Sequence, residues 1–320
     1  MTSPPPPLRG QVILITGAGS GIGAATALEL QRRGALPVLV DCDAAGIAAT
    51  AQALGGSVLC VTADITCAGD CEAAVAQALA RHGRIDVVWA NAGMASFGPL
   101  QYTDPQAFRR CIEVNVLGTF NTVRAALPAV LASRGYVAVS ASLASFAHPP
   151  FMSAYAASKA AIEAMCNAWR IELAAHGVRV GVIHAAAVTT PLMTEGALHP
   201  SFILLQQATP APLRAELSAA EAARMIVDGF ARRARRIWVP GWVRAMYWLR
   251  SLLHTALAER ELLRVAPEME AHYLEGMAEV GPLASSLGPR ELAGALARAK
   301  ARPAAGDEPA AAEPGPSAGC

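Results

Sequence analysis

The chain has 320 residues, of which 53% are hydrophobic and 16% charged, and a net charge of +1. Such a composition describes a globular protein with a sizeable core and excludes a predominantly disordered one. The near-neutral balance supplies no field that would draw nucleic acid, so no nucleic-acid partner is expected. Seven cysteines (Cys42, Cys60, Cys67, Cys71, Cys111, Cys166 and Cys320) are odd in number and lack the paired spacing of a zinc site. With no apolar targeting run at the start, they are read as reduced thiols of a cytoplasmic protein that holds no metal. Cys67 and Cys71 could share a helix face, but without nearby His or further Cys they make a poor metal site.

Four consecutive prolines within Met1–Leu8 favour an extended arm, so folded structure is expected from about Gly10. Short apolar, β-branched runs then alternate with longer Ala-rich stretches. Val12–Thr16, Leu36–Asp41, Ser57–Ala63, Val87–Asn91, Tyr136–Ser140 and Arg179–His184 read as strands. Between them Gly21–Arg33, Asp70–His82, Asp104–Leu131 and Ala154–His176 are long enough for crossover helices. Continuous apolar strands, not alternating ones, predict a doubly wound parallel α/β sheet covered by helices on both faces. A seventh strand is expected near Arg236–Pro240, and residues 10–240 are expected to form one dinucleotide-binding unit.

The first strand runs into Thr16-Gly17-Ala18-Gly19-Ser20-Gly21-Ile22-Gly23, and a helix follows at once. A dinucleotide needs this arrangement: Gly17 makes the tight turn, Gly21 lets the backbone approach the pyrophosphate, and Gly23 lets helix and strand pack closely. No Lys-Ser or Lys-Thr pair follows, which excludes a P-loop. Eighteen residues after Gly23, at the end of the second strand, Asp41 would accept hydrogen bonds from the adenosine ribose hydroxyls and repel a 2′-phosphate. Ser20, Cys42 and Asp43 offer no cation to rescue that phosphate, so NAD is expected in preference to NADP.

Tyr155 and Lys159 stand four apart on an Ala-rich stretch, so one helical face presents both. Taken alone such a pair is more often a solvated helix face. A phenol with a free pKa near 10 must be lowered to exchange protons near neutrality, and an adjacent ammonium would act in that direction.

Together these residues give the chain its identity. It resembles the short-chain dehydrogenase/reductase family over about Gly10 to Pro240, through the glycine turn Thr16–Gly23, Asn91-Ala92-Gly93 after the fourth strand and Tyr155-x-x-x-Lys159, with Ser142 thirteen residues before Tyr155 and Asn115 in the central helix. The resemblance implies that Tyr155 exchanges a proton with the substrate oxygen and that Ser142 hydrogen-bonds the same atom. It also implies that Lys159 lowers the tyrosine pKa and binds the nicotinamide ribose, while Asn115 holds a water linking Lys159 to solvent. Cofactor contacts are implied for Gly17, Gly19, Ser20, Gly21, Ile22, Gly23 and Asp41, for Asp64 and Ile65 at the adenine, for Asn91, Ala92 and Gly93, and for Val188 and Thr190 near the carboxamide. Dimers or tetramers built through the helices around Asp104–Leu131 and Ala154–His176 are implied as well. His184-Ala185-Ala186-Ala187 departs from the family's usual Pro-Gly, which predicts a differently shaped turn beneath the nicotinamide.

The loop Ser145–Ser153, with Phe146, His148, Phe151 and Met152, and the segment Pro191–Pro210 should form the substrate pocket. Their apolar side chains suggest a lipophilic alcohol or ketone, although they would equally close over the cofactor alone. From Trp242 to Leu257, apolar residues at 242, 245, 246, 249, 252, 253 and 256 predict one amphipathic helix within a helical extension over 241–300. It is too short and too charged to span a bilayer. Packing on the protein or on another subunit is favoured over peripheral membrane contact, which its aromatic and basic residues would also suit. Residues 301–320, rich in Ala, Pro, Gly and Glu, are expected to be a disordered tail. The alternative to an enzyme is an NAD-binding sensor or scaffold on the same fold, which would be free to lose Tyr155 or Lys159. A sugar-nucleotide epimerase is disfavoured by the Gly17-x-x-x-Gly21-x-Gly23 spacing.

Overall fold

Five consecutive buried residues make the first strand, β1 (Val12–Thr16). The computed structural model describes residues 8–190, 200–209, 214 and 216–280. After β1 the chain runs through α1 (Gly21–Arg32), β2 (Leu36–Asp41), α2 (Ala44–Ala53), β3 (Leu59–Thr62), α3 (Ala68–His82), β4 (Val87–Ala90) and α4 (Pro105–Ile112). A π-helical turn (Glu113–Leu117) leads into α5 (Gly118–Ala132), β5 (Tyr136–Ser140), α6 (Ser153–Glu172) and β6 (Arg179–Ala185). Then come β7 (Val188–Thr189), α7 (Pro200–Ala208), β8 (Leu217–Ser218), α8 (Ala219–Ala231), β9 (Arg236–Val239), α9 (Val243–Trp248) and α10 (Ala256–Val280). The arm through residue 7, the part of the substrate segment at 191–199, residues 210–213 and 215, and everything after Val280, tail included, lie outside the described residues.

Seven strands form one sheet in the order β3-β2-β1-β4-β5-β6-β9, and every pair in it is parallel. Successive side chains of a strand point to opposite faces, and β1 shows both halves of the core. Ile13 and Ile15 pack with Leu39, Trp89 and Ile183 under Leu30, Ile47 and Phe230 of α1, α2 and α8. Val12 and Leu14 pack with Val38, Val88 and Val137 under Val75, Val123 and Ile162 of α3, α5 and α6. The architecture is a doubly wound α/β sheet. Its order reverses beside β1, which pairs with β2 on one side and β4 on the other. Chain segments leave that point toward opposite faces and open a crevice at the strands' carboxyl ends.

Four elements depart from the sequence-based expectation. The third strand is Leu59–Thr62, shorter than Ser57–Ala63, and the fourth ends at Ala90 before Asn91, whose side chain turns to the strand tips. The expected helix Asp104–Leu131 is interrupted by the π-helical turn, which inserts an extra residue per turn where Asn115 sits. The stripe over Trp242–Leu257 is not one helix: α9 stops at Trp248, a 3₁₀ turn covers Arg250–Leu252, and α10 starts at Ala256. Val243 and Tyr247 are its buried residues and pack with Phe146, whereas Trp248, Leu249 and Leu252 remain exposed.

Candidate active site

The glycine turn is built as a cradle that side chains would fill. Gly17 and Gly21 have φ of +68° and +54°, in the left-handed region that favours glycine. A Cβ on Gly23 would lie 2.0 Å from the Gly17 carbonyl oxygen, and one on Gly17 2.8 Å from Ala92 Cα. Helix α1 therefore seats directly against the turn, and Ser20 before it makes no side-chain cap, so its first amides point at the crevice without a competing side chain. Ile22 is partly buried against the core.

Around this cradle the other expected cofactor residues take definite places. Asp41, at the tip of β2, accepts hydrogen bonds from the Gly19 amide at 2.8 Å and the Asp43 amide at 3.0 Å. Asn91 donates to the Thr16 and Gly17 carbonyls at 3.1 and 3.3 Å and accepts from Ser140 Oγ at 3.0 Å. Its amide thus braces the tips of β1, β4 and β5. Asp64 accepts from the Thr66 amide and hydroxyl at 2.9 and 2.7 Å and stands 3.6 Å from Arg110. Burial opposes its ionisation, yet the Thr66 hydrogen bonds and Arg110 hold its carboxyl below the usual range. Ile65 is buried against Gly118. Ala92 and Gly93 follow Asn91, with Gly93 beside Asn115 and Lys159. Val188 is buried in β7, and Thr190 directly follows that strand.

Tyr155 and Lys159 lie on α6, whose residues Ala154, Ala156, Ser158 and Lys159 are buried. Ser142, in extended backbone after β5, stands beside the Tyr155 phenol, where its hydroxyl favours the ionised form. Ser142 Oγ also accepts from the Ala144 amide at 3.1 Å and donates to the Ala185 carbonyl at 3.4 Å. Lys159 Nζ donates to the Ser140 carbonyl at 2.8 Å and stands 5.6 Å from the Tyr155 ring centroid. It is one of only two lysines against 24 arginines, and an ammonium, unlike a guanidinium, can titrate near neutrality when buried. Burial lowers Lys159 to about 8.

Burial also raises the Tyr155 phenol, which the Ser142 hydroxyl only partly offsets. Lys159 is itself desolvated and directed at a backbone carbonyl, and the chain's own groups leave Tyr155 above its ordinary range.

Asn115 is fully buried in the π-helical turn. Its Oδ1 accepts from the Met94 amide at 2.8 Å, and its Nδ2 donates to the Met94 carbonyl at 2.9 Å and Ser158 Oγ at 2.8 Å. Ser158 Oγ in turn donates to the Tyr155 carbonyl at 2.7 Å. Asn115, Ser142 and the Tyr155–Lys159 pair, from three separate stretches of the chain, thus meet around the crevice.

Sequence reasoning missed a support beneath Ser142. Ser145 Oγ donates to the Ser142 carbonyl at 2.6 Å, and fully buried His184 places Nδ1 3.2 Å from Ser145 Oγ. His184 stacks on Trp238 at 4.9 Å, and desolvation lowers it to about 4 despite Glu163 3.9 Å away. Its signal was present as the residue opening the His184-Ala185-Ala186-Ala187 departure, where β6 runs on to Ala185 and the Ala186 amide donates to the Val239 carbonyl at 2.7 Å.

Beside the site, Phe151 holds a left-handed backbone at φ +65° and accepts from the Gly98 amide at 2.7 Å. With Met152, Phe97, Leu204 and Leu262 it packs around buried Leu205, Val265 and Met269. Phe146 instead packs under α9 with Val243 and Tyr247. Of the expected substrate residues, Phe151 and Met152 therefore share an apolar cluster with α7 and α10, and Phe146 anchors α9.

A doubly wound sheet with a glycine cradle at its switch point and a Ser–Tyr–Lys–Asn set on β5, α6 and the π-helical turn defines a class of nucleotide-dependent oxidoreductases. The short chain dehydrogenase family model matches residues 11–199, and the chain belongs to that family. Among relatives, L-fucose dehydrogenase of Mus musculus is 37% identical over 187 residues, spanning 58% of this chain and 68% of that one. The 11-beta-hydroxysteroid dehydrogenase A of Sesamum indicum is 34% identical over 259 residues, spanning 75% and 71%. Among solved structures, a 3-ketoacyl-(acyl-carrier-protein) reductase from Brucella melitensis complexed with NADH is 30% identical, with a TM-score of 0.66 over 72% of this chain and 97% of that one. A short chain dehydrogenase/reductase from Burkholderia phymatum in complex with NAD gives a TM-score of 0.69 at 26% identity, over 78% and 95%.

Proposed function

We propose that the protein is an NAD(H)-dependent oxidoreductase that interconverts a lipophilic secondary alcohol and its ketone. The observation that carries this reading is the convergence of Ser142, Tyr155 and Lys159 at the carboxyl end of β5, with Tyr155 one helical turn from Lys159 on α6 and Lys159 Nζ on the Ser140 carbonyl at 2.8 Å. Tyr155 would give its proton to a carbonyl oxygen during reduction and take it back during oxidation, while Ser142 Oγ hydrogen-bonds that oxygen and fixes its position. Asn115 holds the Tyr155 helix through Ser158.

The chain offers residues that fit a dinucleotide. The Gly17–Gly23 cradle and the start of α1 would hold the pyrophosphate. Each Asp41 oxygen accepts one backbone amide and keeps a further lone pair for ribose hydroxyls, while its charge repels a 2′-phosphate. That favours NAD over NADP, in keeping with the NADH and NAD in the two structural neighbours. When bound, the nicotinamide would supply hydride exchange and, when oxidised, the positive charge that lowers the Tyr155 phenol. A lipophilic substrate is supported by Phe151 and Met152, which join the cluster around Leu205 and Met269.

A screen of lipophilic ketones with NADH, followed at the nicotinamide absorbance, tests the reading. Tyr155→Phe should lower kcat/KM by about 10²-fold or more, the scale of a lost general acid, while NADH binding stays intact. Undiminished turnover by that variant would refute the mechanism, and a preference for NADPH would refute the role given to Asp41.

A further inference from the structure

The stripe after β9 divides its residues between two environments. On α9, Val243 and Tyr247 face inward, while Arg244 and Trp248, four apart and therefore on one helical face, point out. Trp248 is 72% exposed, and Leu249, Leu252 and Leu257 beyond it are 54%, 57% and 82% exposed. Single exposed leucines are ordinary, but a tryptophan and three leucines along one short stretch form an apolar edge.

The charge on that edge is mainly positive, although Arg236 is paired with Glu163 at 3.5 Å. Residues 232–258 contain six arginines and no Asp or Glu, in a chain whose net charge is only +1. Arg232, Arg236 and Arg244 line one surface cavity of about 310 Å³ with Trp238 and Gly241. Asp228 also borders it, but its carboxylate is paired with Arg33 at 2.6 Å. Arg236 continues to Tyr247, whose hydroxyl accepts from it at 2.7 Å, and Arg250 lies 4.3 Å from the same ring. The basic cavity and the apolar edge thus join through Tyr247, which is next to Trp248.

We infer that this face docks on an anionic lipid surface, with Trp248, Leu249 and Leu252 entering the headgroup boundary and Arg232, Arg244 and Arg250 meeting the phosphates. Tryptophan and leucine beside arginine is the combination that interfacial helices use, and each arginine near a charged bilayer adds attraction. A second copy is the weaker occupant, because a two-fold contact would set this arginine cluster against itself. No described helix is long and apolar enough to cross a membrane, and the contact argued here is peripheral. It stands apart from the proposed reaction, since no residue of the Tyr155 site takes part.

The test is flotation of the full chain with phosphatidylcholine vesicles, with and without phosphatidylserine, at low and raised salt. Binding should require phosphatidylserine and weaken with salt. Arg232→Gln and Arg244→Gln should each reduce partitioning about fivefold, and Trp248→Glu at least tenfold. Trp248→Phe should keep binding but lose most of the blue shift in tryptophan emission that anionic vesicles induce. The inference is overturned if the parent chain floats equally with both vesicles or with neither. It is also overturned if Trp248→Glu leaves flotation unchanged, or splits an oligomer in a chain that never floats, which would assign the face to a second copy.

Discussion

His184 shows what a single residue does beneath a reactive one. Its imidazole is buried between Trp238 and Phe146 and reaches Ser145, which holds the Ser142 carbonyl. Desolvation lowers it from 6.5 to about 4. Above pH 6.5 both folded and unfolded chains carry it neutral, and it adds no pH dependence. As the pH falls from 6.5 toward 4 only the unfolded chain takes up the proton, so stability is lost across that window. Near pH 4.5 the loss should reach about 2 to 3 kcal/mol. Glu29, lowered to about 2 by hydrogen bonds from Arg32 and Arg33 against its burial, contributes its own loss only below pH 4.5. His184→Phe, which can keep the stack on Trp238, should flatten the urea-midpoint profile between pH 6.5 and 4.5 and leave the steeper fall at lower pH. An unchanged profile would remove His184 from this role.

At the scale of elements, β1, the glycine turn and α1 form one unit whose tolerance is steric. A Cβ on Gly23 would sit 2.0 Å from the Gly17 carbonyl oxygen, so Gly23→Ala must push α1 off β1. It should cost about 1 to 3 kcal/mol in unfolding free energy and abolish NADH binding, read by calorimetry. This unit, the strands and Tyr155-x-x-x-Lys159 were legible in the sequence because each is local: apolar runs, fixed glycine spacing, an i, i+4 pair. The π-helical turn was not, since the periodicity of Asp104–Leu131 reads as one helix and only the inward aim of Asn115 betrays the extra residue. Helix α10 falls within the expected helical extension, but its bounds and buried face were not legible, for a different reason. Pro267 interrupts it and charges flank its core face, so only Val265, Met269 and Tyr273 at i, i+4 and i+8 mark the buried side. Packing against α7 overrides the proline. Met269→Ala should therefore lower stability by about 2 kcal/mol or more, the range for truncating a buried methionine, and shift KM for bulky ketones more than kcat, because Phe151 and Met152 border the same cluster. Unchanged KM across substrates of different size would separate α10 from the substrate pocket.

For the molecule as a whole, a second set of exposed apolar residues lies outside the arginine-rich stretch 232–258. Phe108, Leu117 and Phe120 are 39%, 52% and 43% exposed along α4, the π-helical turn and α5, and Ile171 near the end of α6 is 75% exposed. These are the helices through which the family resemblance implies assembly, and they carry both signs, with Arg109 and Arg124 exposed and Glu113 half-buried. A mixed-sign apolar face can meet its own copy without the repulsion that disfavours self-contact at Arg232, Arg236 and Arg244. We expect a homodimer or homotetramer through α4, α5 and α6. The double variant Leu117→Glu with Phe120→Glu should shift the light-scattering mass to the monomer, because it places four carboxylates at each two-fold contact. Trp248→Glu should leave the mass unchanged, since its face is reserved for lipid. The two variants therefore separate the surfaces: a monomer produced by Trp248→Glu and not by the Leu117–Phe120 pair would exchange their assignments, and with it the orientation of the substrate mouth relative to the assembly.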